Sequence, residues 1–178
     1  MRKFAFQRSG RSEAHTPAPF RRKSGSVVDV AHLSDRQTAR EVNLGFAAFV
    51  QLNQHLYTRY ARARLSEETT TEAVISETFA AVRERWPWFL SQPCPAADVW
   101  SELRYRVNRE AAKTKAPAAD PLVKLYEALS HCCADSVVLC LRLGLNADDA
   151  AGLMGVERPA VETALGAARR AQLHAVEV

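Results

Sequence analysis

Arg104, Arg106, Asn108, Arg109 and Lys113 crowd into one short stretch of this 178-residue chain. Guanidinium and ammonium groups at such a density can follow the phosphates of a nucleic-acid strand, and an amide can bond a base or sugar oxygen. Trp100 and Tyr105 lie in the same stretch and offer rings on which a base could stack. The plainer alternative is a solvated cationic helix face above an aromatic core. Arg158, Thr163, Arg169 and Arg170 form a second set of candidate phosphate contacts near the C-terminus. Other chemistry has little to stand on. Cys94, Cys132, Cys133 and Cys140 have no paired CxxC spacing, so they read as reduced thiols rather than metal ligands. The five histidines are scattered. There is no glycine-rich phosphate loop and no nucleophile–base arrangement, so neither cofactor nor metal nor catalytic residue is expected, and the chain does not read as an enzyme.

Helices must position these groups. From Leu44 to Leu65, residues Phe46, Phe49, Val50, Asn53, Leu56, Tyr57 and Tyr60 trace one face at helical spacing. Ile75, Phe79, Val82 and Trp86 do the same over Thr71 to Trp86, where Pro87 ends or bends the helix. Trp100, Leu103 and Val107 make the inner face of a third helix over Ala97 to Ala112. Lys113 to Asp120, KTKAPAAD, has linker composition. A fourth helix opens at Pro121, with Leu122, Leu125, Tyr126 and Leu129 inward, and Val137, Val138 and Leu141 belong to a fifth. The last part reads helix, tight turn, helix. Asn146 caps the first of these, Gly155 ends it with a positive φ, and Pro159 opens the second. Such a pair commonly lays its second helix in a DNA major groove, although three short helices also make any small bundle. The expected fold is all-α: two small helical domains, 34–112 and 121–178, joined by the linker 113–120, with a helix-turn-helix in the second. Residues 1–33 are expected to be a disordered basic arm.

Charge is unevenly spread. Residues 1–40 carry nine Lys and Arg against three Asp and Glu, whereas the rest is nearly balanced, within a net charge of +4. The basic excess therefore sits in the arm, where Arg21, Arg22 and Lys23 could meet an acidic partner. No run of apolar residues reaches membrane-span length, and the first residues lack a signal-peptide core, so a cytoplasmic protein is expected.

The order of parts resembles the extracytoplasmic-function group of bacterial RNA polymerase sigma factors. TEAVISETFAAVRERW is similar to the family pattern AEDLVQETFLRVWR, and LYTRYARARLS matches the helix that leads into it. VWSELRYRVNREAAKTK resembles the family's WL-x-x-IA-x-N segment. The stretch from Ala128 to Leu173 follows the family's helix-turn-helix pattern, and the resemblance spans about residues 44–176. It implies that the first domain is region-two-like, docks on the clamp of core RNA polymerase through Glu72, Ser76, Glu77 and Phe79, and captures a promoter strand. It implies that the second domain is region-four-like and reads promoter DNA in the major groove. Core polymerase and promoter DNA are the implied partners, an anti-sigma factor a further one, and the nucleoid the implied place of work.

The sequence departs from the family at its contact positions. The family's Asp and Gln in the clamp-binding helix are Ala73 and Ser76 here. Its Lys and Arg in the recognition helix are Glu162 and Ala164, and an acid facing phosphate is unfavourable. Two other readings therefore stay open: a sigma-derived interaction protein that has lost promoter reading, and a stand-alone helix-turn-helix regulator.

Overall fold

The computed structural model describes residues 27–114 and 120–171; of residues 27–37 and 39 it describes the helical backbone alone. The described elements are helical, with no strand among them. They are α1 (Val27–Arg64), α2 (Glu68–Glu84), α3 (Trp86–Leu90), α4 (Pro95–Ala111), α5 (Pro121–Ala128), α6 (His131–Val137), α7 (Ala147–Met154) and α8 (Arg158–Arg170), with a π-helical turn, Val138–Arg142, running on from α6. Contacts divide the chain into two units, Met1–Arg36 and Gln37–Val178, and the buried core belongs to the second. The all-α class is as expected. No described helix is long and apolar enough to cross a membrane.

The apolar spacing in α1 turns Tyr57, Tyr60 and Ala61 fully inward, with Phe46, Phe49 and Leu56 half-buried above them. Arg62 and Arg64 close the helix, where cations suit the negative end of the dipole. α2 buries Thr71, Val74, Ile75, Thr78 and Val82. The two threonines are tolerated inside because each hydroxyl donates to a carbonyl one turn back, Thr71 to Glu67 at 3.0 Å and Thr78 to Val74 at 2.7 Å. The rings around the two tryptophans then pack edge to face or tilted. Trp86 meets Phe46 and Phe49 at 5.6 and 5.2 Å between centroids, and Trp100 meets Tyr57 and Tyr60 at 5.7 and 4.6 Å.

Several helix boundaries differ from the sequence expectation, α2 opening at Glu68 and α4 at Pro95 among them. α1 begins at Val27, so 27–33, read as part of a disordered arm, are helical; residues 1–26 lie outside the described residues, and with them Arg21, Arg22 and Lys23. α2 stops at Glu84 instead of Trp86, and Pro87 opens the short α3 at a position that needs no N–H donor. Trp86 and Phe89 of α3 are buried.

Side-chain caps set the C-terminal helices. Asp120 accepts from Leu122 N at 2.8 Å, Ser130 from Cys133 N at 3.4 Å, and Asn146 from Asp149 N at 2.8 Å. Each satisfies an orphan donor and contributes about 1 kcal/mol. α8 packs Val161, Ala164 and Ala168 inward, against α6 and α7. Residues on both sides of 113–120 belong to the one compact unit, and their buried side chains form one continuous core. The α7–α8 turn comes close to the first turn of α4, where Gly155 lies against the Ala97 backbone.

Candidate nucleic-acid interface

α4 is amphipathic because Val99, Trp100, Leu103 and Val107 recur at helical spacing and are buried. That leaves its remaining positions to carry the cations, but it splits them between two sides. Arg106 and Arg109 lie toward α2. Arg106 pairs with Glu77 at 3.0 Å and with Glu102 at 2.8 Å, and Arg109 with Glu77 at 3.5 Å and Glu110 at 3.1 Å. Lys113 continues the row, 2.7 Å from Glu110. The hydrogen bonds from Lys113 and Arg109 hold the Glu110 carboxyl below its ordinary range. Asn108 is on the other side, toward α1 and α6. Its Oδ1 accepts from Arg64 Nη2 at 2.9 Å, and its Nδ2 stands 3.2 Å from His131 Nδ1. Arg104 is half-buried on that side, close enough to Asp135 and Cys132 to act on both. The five predicted strand contacts are therefore not one array: Arg106, Arg109 and Lys113 are brought together, while Arg104 and Asn108 face the junction with α6. Of the two candidate stacking rings, Trp100 is 2% exposed and belongs to the core, whereas Tyr105 is 63% exposed and open to a base.

α2 carries the predicted polymerase contacts. Glu72, Ser76 and Glu77 are exposed, the first two at i and i+4 on one ridge. Phe79 is half-buried, its ring stacked on Tyr57 at 5.9 Å and 11°. Glu77, about 100° farther round the helix than Ser76, joins α2 to the α4 cations.

In the C-terminal pair, Gly155 takes φ 63° and its N–H and that of Val156 close the last turn of α7. The outward face of α8 shows Arg158, Glu162, Thr163, Arg169 and Arg170. Arg158 is held by Asp148 at 3.1 Å and Glu162 at 2.7 Å. The Thr163 hydroxyl donates to Pro159 O at 2.7 Å, so its proton is engaged within the helix. Arg169 and Arg170 make no ion pair among the described residues, and stand where cations also suit the helix dipole. Exposed pairs of this kind contribute little to stability, so phosphate can displace their acidic partners at small cost.

Sequence reasoning missed a buried polar junction behind this face. Asp135, fully buried on α6, accepts the hydroxyls of Tyr60 and Tyr126 on the same Oδ1, each at 2.6 Å. The Arg64 guanidinium lies over the Tyr126 ring, 3.4 Å from its centroid. Burial pushes the Asp135 carboxyl up, against the pull of both phenols and of Arg64 and Arg104. Burial, and then the facing carboxylate, raise Tyr60 and Tyr126 well above ordinary phenols. The signal was present in HCCADSVVLC: one acid in an apolar helical run, which cannot stay inside unpaired. Nearby, Arg59 Nη2 donates to Leu143 O at 2.7 Å, joining α1 to the end of the π-helical turn.

No cluster of three or more His, Cys, Asp and Glu suited to a metal ion occurs among the described residues. Compared with known proteins, the chain matches no family model, no curated protein and no solved structure.

Proposed function

We propose that this chain is a sigma-like transcription initiation factor, binding core RNA polymerase through the exposed ridge of α2 and directing it to promoter DNA through α4 and α8. The observation that carries the reading is the bridge at Glu77. It sets one of the expected polymerase contacts directly against Arg106 and Arg109, with Lys113 next in the row, as a protein needs if it is to present a melted strand to the enzyme it rides on. Tyr105, exposed on the same helix, supplies a stacking ring. The chemistry stays with polymerase, so this chain carries no catalytic residue. It works in the cytoplasm, on the nucleoid when bound to polymerase.

A specific observation favours a second reading. Arg158, at the start of α8, is neutralised by Asp148 and Glu162, so the helix offers the major groove an acid where recognition uses Arg, Lys, Asn or Gln. On that reading the chain binds polymerase without reading a promoter. Titration of a fluorescent single strand against salt separates the two. The Arg106→Ala, Arg109→Ala double variant should flatten the log–log slope by about 1.4, roughly 0.7 per lost phosphate contact. Glu77→Gln, which takes one of two acidic partners from each arginine and leaves Glu102 and Glu110 in place, should raise affinity about twofold to fivefold. An unchanged slope removes α4 from the interface, and no DNA binding by the unaltered chain selects the second reading.

A further inference from the structure

The outer face of α1 is apolar where it should be polar. Leu44 and Leu52 are 72% and 76% exposed, and exposed Ala48 lies between them. The three stand at i, i+4 and i+8, a single ridge along the helix and directly opposite the buried face that holds Tyr57. One exposed leucine needs no explanation, but an apolar ridge on the solvent side of an otherwise amphipathic helix does.

The ridge is symmetric about Ala48. Four residues to either side is a leucine. Seven residues to either side are Glu41 and His55, an acid and a base. Three residues to either side are Gly45 and Gln51, one without a side chain and one with a long one. All of these are exposed. We propose that this face docks a second copy of the chain, α1 crossing α1 antiparallel about a twofold axis through Ala48. Leu44 of each copy then meets Leu52 of the other, Glu41 faces His55 twice, and Gln51 covers the space left by Gly45. Glu41 already has an interaction within its own chain and contributes its charge from there. A parallel crossing would instead set Glu41 against Glu41 and align the two helix dipoles, so charge selects the antiparallel one. The contact is isologous, so the pairing closes at two copies. Interdigitating i±4 ridges is the commonest way two helices pack, and alanine at the crossing lets the axes approach.

The patch is short, since Leu44 and Leu52 are only about 12 Å apart along the axis. A pair this size stays below a standard interface and is expected to dissociate at roughly 0.1–1 mM. The test is sedimentation velocity of the full chain over a concentration series reaching that range. The unaltered protein should shift toward a dimer as concentration rises. Leu52→Glu should hold it monomeric without changing its melting temperature, because the Leu52 side chain stands in solvent. Under mild oxidation Ala48→Cys should cross-link to itself through the twofold, faster than a Ser101→Cys control at an exposed position of α4. A monomer at every concentration, a dimer indifferent to Leu52→Glu, or equal cross-linking at positions 48 and 101 would each overturn the proposal.

Discussion

Gly155→Ala is expected to destabilise the fold by about 2–5 kcal/mol. Two costs add. The left-handed backbone at φ 63° disfavours any residue with a Cβ by roughly 1–2 kcal/mol. The new methyl would also fall on the Ala97 backbone nitrogen, 2.6 Å from its Cα and 2.7 Å from its Cβ. Backbone in the first turn of a helix cannot step aside as a flexible side chain can, so overpacking contributes roughly a further 1–3 kcal/mol or more. The contact joins the α7–α8 turn to α4, and the Cys94 thiol reaches Gly155 O at 3.5 Å beside it. The loss should therefore appear as a lower urea midpoint for the whole unit rather than fraying of one helix. Gly152→Ala is the control. That position is on the exposed face of α7 with nothing near its absent Cβ, so alanine should stabilise by about 0.5–1 kcal/mol through helix propensity. A Gly155→Ala midpoint equal to that of the unaltered protein would show that α4 and the turn do not meet.

Asp135→Ala should cost a comparable amount, about 3–5 kcal/mol. Removing the carboxylate strands two buried phenol hydroxyls and leaves the Arg64 charge with one partner fewer. Asp135→Asn keeps an acceptor of nearly the same shape and should cost less. The buried phenols have a pH signature of their own. Tyr57, Tyr60 and Tyr126 all have phenols raised by burial above the ordinary 10.0. Below pH 10 both folded and unfolded chains keep these protons, and the stabilisation is whole. Above pH 10 the unfolded chain releases them while the folded chain holds them, so stability falls as pH rises toward the raised folded values. Each phenol contributes about 1.4 kcal/mol per pH unit, so the three together reach roughly 4 kcal/mol per unit. Urea midpoints should hold up to about pH 10 and drop steeply from there to about pH 11.5, and tyrosinate absorbance from the three should rise together with loss of helix signal. Phenol ionisation well before unfolding would contradict their burial.

What the sequence made legible was local. Asn146, Gly155 and Pro159 act within one helical turn of themselves, so cap, stop and start could be read from the residues and recur in the structure. The inward faces of α2 and α4 followed from spacing for the same reason. The Arg106–Glu102 pair, at i,i+4, is equally local. Contacts across the chain were not legible. Tyr60 and Asp135 are 75 residues apart, and Arg106 and Glu77 are 29. Nothing in the neighbourhood of either shows that they meet. Hence the candidate strand contacts looked like one cationic row, when α4's twist across a buried face sends Arg104 and Asn108 to one partner and Arg106 and Arg109 to another. Trp100 illustrates the same limit: its ring could stack a base or fill a core, and the packing of α1 against α4 decides for the core.

Binding of the purified full chain to bacterial core RNA polymerase, assayed by size exclusion at moderate salt, tests the proposed function most directly. Co-elution in a stoichiometric complex is the predicted result, weakened by Glu72→Ala with Ser76→Lys, two exposed changes on the α2 ridge that leave the fold intact. A folded chain that elutes apart from polymerase at every salt concentration would contradict the sigma-like account and leave a regulator that works on its own.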